Sequence, residues 1–81
     1  MEINKPDYSK IIENNPMGFI LRERIGIATG GILSPGYSAN LDSDKEREGI
    51  KGRFRVGRKI AYPVQSVVDF LESRTEMLDP A

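Results

Sequence analysis

Cysteine, histidine and tryptophan are all missing from the 81 residues. Without cysteine there is no disulfide and no thiolate metal site. Without histidine the commonest general base and metal ligand are gone, and so is every Cys–His or Ser–His nucleophile pair. No apolar run approaches the roughly 20 residues of a membrane-spanning helix. The start, Met1-Glu2-Ile3-Asn4-Lys5, lacks the basic and then apolar pattern of a secretion signal. The apolar fraction of 38% suffices for one small core, although a chain this short buries only about 60% of its unfolded surface. The expectation is a soluble, cytoplasmic domain that is not an enzyme and uses no cofactor or metal.

Charge sums to zero but is unevenly spread. Residues 1–50 carry six basic and eight acidic side chains. Residues 51–62 carry Lys51, Arg53, Arg55, Arg58 and Lys59 and no acid, while residues 63–81 set Arg74 against Asp69, Glu72, Glu76 and Asp79. Attraction of a polyanion depends on local potential, so the basic stretch carries more information than the total. It is also what a solvated face balancing acidic flanks would look like.

Residues 1–14 read as a weakly ordered N-terminal arm. Tyr8, Ile11 and Ile12 hint at a helix too short to stand alone, so the segment is a docked turn or a frayed end. Asn15-Pro16 reads as a helix start, with Met17, Ile20 and Leu21 as its apolar stripe and Gly26 just past its end. Thr29-Gly30-Gly31 is a joint, and Ser34-Pro35 opens a second short helix through Leu41 with Tyr37 and Leu41 sharing a buried edge. Asp44 to Glu48 is a mixed-charge loop. Pro63 ends a strand and starts the last helix, where Val64, Val67, Val68 and Leu71 follow helical spacing. Residues 75–81 read as a loose tail, which leaves 15–74 as the folded domain.

Between these helices, Arg53 to Tyr62 alternates with period two on both sides of Gly57 and reads as a β-hairpin. A two-residue Gly57–Arg58 loop pairs Val56 with Lys59 and Phe54 with Ala61. A three-residue loop pairs Val56 with Ile60 and Phe54 with Tyr62, which puts all four apolar side chains on one face. Burial of one face favours the longer loop, with Arg53 and Arg55 pointing away from the core.

The stretch Gly52-Arg53-Phe54-Arg55-Val56-Gly57-Arg58-Lys59-Ile60-Ala61-Tyr62-Pro63, followed by Val67-Val68-Asp69-Phe70-Leu71-Glu72, resembles the winged helix-turn-helix proteins of the phage excisionase and prophage-regulator group, distantly MerR-like. The resemblance covers residues 16–74. It departs from the pattern in a long Gly26–Leu33 connection, in Phe70 where tryptophan is frequent, and in the acidic Asp42–Glu48 segment, which could repel DNA. The fold class it implies is α+β: a small winged helix-turn-helix with three short helices and one β-hairpin wing. The partner it implies is double-stranded DNA, read by a recognition helix bearing Ser34, Gly36, Tyr37, Ser38 and Asn40. Asn can bond an adenine edge, and Gly36 would let backbone approach the groove. A wing bearing Lys51, Arg53, Arg55, Arg58 and Lys59 would hold phosphate or enter a minor groove. Four phosphates neutralised correspond to a log–log salt slope of about −3.6.

The implied role is an accessory factor in site-specific recombination or a small transcriptional regulator, with cooperative self-association on DNA and an integrase or RNA polymerase subunit as further partners. The alternative is an adaptor that binds such proteins without touching DNA. Individual residues also have plainer readings: Tyr37 as a half-buried core residue, Ser34 as a helix cap, the wing cations as guards against edge-to-edge aggregation. Gly49-Ile50-Lys51-Gly52 matches a backbone-clamping GxxG but leads into a strand, and Thr29-Gly30-Gly31 lacks the spacing of a phosphate loop.

Overall fold

The computed structural model describes residues 6–44, 46 and 48–78. Lys45 and Arg47 of the mixed-charge loop, residues 1–5 of the arm and residues 79–81 of the tail lie outside the described residues. Helix α1 spans Ser9–Glu13, and the Asp7 carboxylate accepts the Ser9 amide at its start, 2.9 Å away. The segment is docked rather than frayed: Ile11 is buried in the core, and the Tyr8 and Thr75 hydroxyls share a hydrogen bond of 2.6 Å at the far end of the chain.

Asn15-Pro16 does not start a helix. The Asn15 side chain turns back to donate to the Ile11 carbonyl at 2.7 Å, and its own carbonyl accepts from the Gly18 amide at 3.0 Å. Asn, Pro and Gly at the first, second and fourth positions are as much the signature of a type I turn as of a helix start. After the turn comes strand β1, Phe19–Leu21, then a 3-10 turn, Arg22–Arg24, leading into helix α2, Ile25–Ala28. The expected helix from Met17 is thus corrected to a turn, a strand and a later helix.

Gly26 lies inside α2, so the helix stop also moves. The Gly30 amide bonds Ile27 O at 3.2 Å and the Gly31 amide bonds Gly26 O at 2.7 Å, with Gly30 at φ +63°. This is the paired closure of a helix end that favours a left-handed glycine. The Thr29 hydroxyl, buried here, donates to Ile25 O at 2.6 Å and accepts from the Leu33 amide at 3.1 Å. The connection between the two helices therefore runs only from Thr29 to Ser34 and is closed by hydrogen bonds.

Helix α3 spans Pro35–Ser43, with Ser34 Oγ accepting from the Tyr37 amide at 3.0 Å. Strands β2, Phe54–Val56, and β3, Lys59–Pro63, form the hairpin, and α4, Val64–Arg74, follows β3 directly. The sheet order is β1-β3-β2, all antiparallel. Ile11, Ile20, Ile25, Leu33, Leu41, Ile50 and Tyr62 pack with the buried face of α4, made of Val64, Val67, Val68, Phe70 and Leu71. A helix-turn-helix with a hairpin beside its second helix is a small α+β, winged-helix-like fold.

The hairpin register corrects a second expectation. Val56 pairs with Lys59, Arg55 with Ile60 and Phe54 with Ala61, so the loop is the two-residue Gly57–Arg58. Gly57 at φ +62° supplies the first central position of such a turn. One-face burial was the wrong constraint because β3 is a central strand. Tyr62 and Ile20 pair on the helix side, while Ala61, fully buried, sits between Leu21 and Phe54 on the outer face. The Phe19 and Phe54 rings meet edge to face on that side at 5.6 Å. Arg55 shares the helix-side face with Ile60 and Tyr62 rather than pointing away from it.

Thr29→Val tests the closed turn. It keeps the side-chain shape but leaves the Leu33 amide without its acceptor, so unfolding stability should fall by about 1–3 kcal/mol. Thr29→Ser should restore most of it, both read by denaturant titration.

Candidate nucleic-acid interface

Three elements meet at one carboxylate. The Asp42 side chain, on the last turn of α3, is 8% exposed. Its Oδ2 accepts from the Tyr62 hydroxyl at 2.7 Å and from an Arg22 guanidinium nitrogen. Arg22 Nε donates to the Tyr62 hydroxyl at 2.9 Å, and its guanidinium stands 5.9 Å from the Tyr62 ring centre. Arg53, just before β2, lies 3.8 Å from Asp42 Oδ1. The helix-turn-helix and the hairpin are therefore locked at a fixed separation. Burial, then the Asp42 hydrogen bond, pushes the Tyr62 phenol above its ordinary value, with Arg22 partly opposing. The Tyr62 hydrogen bond raises Arg22 in turn, against some desolvation.

Against this frame the expected contact residues separate. On α3, Ser34, Gly36 and Asn40 are exposed, and Tyr37 is 43% exposed rather than buried beside Leu41. A Cβ added at Gly36 would meet nothing within 4 Å, so its backbone faces open space. Ser38 is fully buried and its hydroxyl has no hydrogen-bond partner. It is part of the inner edge of α3 and cannot reach a ligand on the outer face. Ser34 serves as the helix cap.

The wing cations are not one patch. Arg58 and Lys59 line a hollow with Arg22, Glu23 and Pro35, which brings the hairpin tip to the start of α3. Arg53 and Arg55 share the helix-side face, and Arg53 is engaged with Asp42. Lys59 Nζ contacts both Glu23 carboxylate oxygens at 2.8 Å. Lys51 lies away from the hairpin tip, between a hollow it shares with Arg53 and Asp42 and one against α4 with Glu48, Asp69 and Arg74. Among the described residues Arg55 and Arg58 have no acidic partner. Tyr37 faces Glu46, Glu48 and Arg74 on the side of α3 that carries the acidic loop.

Sequence reasoning missed Arg22, Asp42 and Tyr62 as a unit. Each lies in a different element, and no local spacing links them; the only signal was a carboxylate on a helix whose apolar edge was too narrow to explain its packing. No metal-holding group of three or more carboxylates occurs among the described residues, and no helix among them is long and apolar enough to cross a membrane. No protein family, curated sequence or solved structure matches the chain.

The Tyr62 shift has a definite sign. A phenol whose folded pKa lies above its unfolded value near 10 contributes stability that is present below that value and lost as pH climbs through the folded one. Tyr62→Phe should lower stability by about 2 kcal/mol at neutral pH, since a hydrogen bond to a charged group is lost. It should also fall less steeply than the parent protein above about pH 10, read from urea midpoints across the alkaline range.

Proposed function

We propose that this chain is a non-catalytic, double-stranded-DNA-binding module of the winged helix-turn-helix kind, acting in the cytoplasm. The observation that carries the reading is the juxtaposition of Arg58 with the start of the nine-residue helix α3, with Arg55 on the same hairpin opposite Ile60, which lines that hollow. Gly36, Tyr37 and Asn40 are exposed on the same helix. A helix N-terminus offers free amides and the positive end of its dipole to a phosphate, and unpaired arginines beside it supply the charge. In this reading α3 enters the major groove, Asn40 and Tyr37 are the candidate base readers, and the wing tip rests on the flanking backbone.

Ion pairing revises the electrostatics. Arg53 and Lys59 are engaged by acids of the same chain and Lys51 lies outside the hairpin, so on the hairpin itself two unpaired cations remain, Arg55 and Arg58. The expected log–log salt slope is then about −1.8. So weak a grip suits a protein that holds its site with further copies or with a protein partner such as an integrase or polymerase subunit. Either an excisionase-like accessory role or small-scale transcriptional regulation would fit it. The adaptor reading keeps one observation in its favour: Tyr37 looks onto Glu46 and Glu48, a surface that repels phosphate.

An electrophoretic shift on random duplex at low salt decides between them. DNA binding predicts a salt-sensitive shift that Arg55→Ala with Arg58→Ala abolishes in a folded protein; no shift, or one indifferent to salt and to both changes, leaves the adaptor. Gly36→Ala separates fold from contact. With open space around it, the new methyl should stabilise the protein by about 0.5 kcal/mol. The same methyl should weaken DNA binding about tenfold if the backbone there meets the duplex.

A further inference from the structure

Glu23 stands where a duplex phosphate would be expected. It is the middle residue of the 3-10 turn and lines the hollow between the hairpin tip and the start of α3, together with Arg58 and Lys59. Both its oxygens lie 2.8 Å from the Lys59 ammonium, and both side chains are about half exposed, at 52% and 57%. Arg22, its neighbour in sequence, cannot serve Glu23 because it is committed to Asp42 and Tyr62. The hollow thus already contains an anion held as a phosphate would be held, with two oxygens on one ammonium. A phosphate approaching it meets no net charge from the pair. One that took the ammonium would have to displace the carboxylate, whose backbone is fixed in the turn between β1 and α2.

We propose that Glu23 is a built-in counter-ion that keeps Lys59 out of the duplex contact and confines the interface to the phosphates reached by Arg55 and Arg58. This inference rests on the DNA-binding reading and adds to it the residue that sets the strength of the grip. The Lys59 ammonium is a phosphate ligand held in reserve, exposed by loss of the Glu23 charge.

The test is Glu23→Gln in the full chain, with binding to random duplex measured across a salt series. Freeing Lys59 should strengthen binding about fivefold at low salt, in line with the small free energy of an exposed ion pair. The slope should steepen from about −1.8 to about −2.7, one further phosphate. Glu23→Gln combined with Lys59→Gln replaces a neutral pair by a neutral pair and should return both affinity and slope to those of the parent. A contribution to folding alone would move thermal stability without moving the slope. Unchanged or weaker binding by Glu23→Gln overturns the proposal, and so does a double variant weaker than the parent, which would mean that Lys59 touches DNA with Glu23 in place. If the parent binds and Arg55→Ala with Arg58→Ala abolishes it, such a result leaves the DNA reading standing and removes only the counter-ion. If no form binds at any salt, both fall together.

Discussion

Tyr62 brings a hydroxyl into the interior of a domain too small to spare one. The residue is fully buried on the central strand, and its oxygen finds two partners, the Asp42 carboxylate and the Arg22 guanidinium. Each group would be costly alone: a buried carboxylate without partners loses its hydration, and an orphaned phenol costs a hydrogen bond. Together they satisfy one another, and the satisfaction is geometric. Asp42 must sit at the end of α3, Arg22 must leave β1 at the turn, and Tyr62 must face inward from β3. The observed arrangement of helix, turn and hairpin meets all three conditions at once. A buried ionic cluster adds little net stability compared with apolar packing. What this one contributes is a fixed distance between α3 and the wing.

That distance gives the surface its meaning. The hairpin is a short two-stranded finger with exposed residues on both faces, and such ribbons are not stable by themselves. Its position is held by pairing with β1, by the Ala61 contact under Leu21 and Phe54, and by the Asp42 cluster at its base. Arg58 stays beside the start of α3 because these three restraints agree. The packed core of α1, α4 and the sheet supports them from behind, which is why a five-residue helix at the N-terminal end belongs to the structure and is not an appendage.

The amphipathic face of α4, the Ser34-Pro35 start of α3, and the hairpin around Gly57 were legible in the sequence because each is encoded locally, in spacing or in a cap. Asn15-Pro16-Met17-Gly18 was not, since the same residues start a helix or make a type I turn, and what decides is whether Phe19–Leu21 can pair with a strand 40 residues away. The hairpin register failed for the same reason. A lone hairpin buries one face, but β1 makes β3 central: Tyr62 is buried beside Ile20 on the helix side, Ala61 is covered by Leu21 and Phe54 on the other, and the glycine turn sets the register although Phe54 and Val56 stay exposed. Gly30 rather than Gly26 closes α2 because the helix begins later than its apolar residues suggest. At the candidate site, the identity of the cations was legible and their availability was not. Charge counting registers Arg53 and Lys59 as positive; only the fold shows Asp42 and Glu23 beside them.

The chain's zero net charge and its basic run are therefore two views of one arrangement. Acids on the helix-turn-helix half stand against bases on the hairpin, and the contacts between them, Asp42 with Arg53 and Glu23 with Lys59, lie along the seam that orients the wing. The exposed Glu23–Lys59 pair is worth little to stability, but each of the two pairs takes up a cation of the surface. Restraining the wing and charging it are thus opposed demands on the same side chains. A hairpin held by its own arginine and lysine is well placed and weakly basic, and one with those groups free would be strongly basic and less firmly positioned. The sequence resolves the conflict by position: the cations nearest the acids of the helical half are spent on orientation, and Arg55 and Arg58, which pair with no acid among the described residues, keep their charge for whatever lies outside.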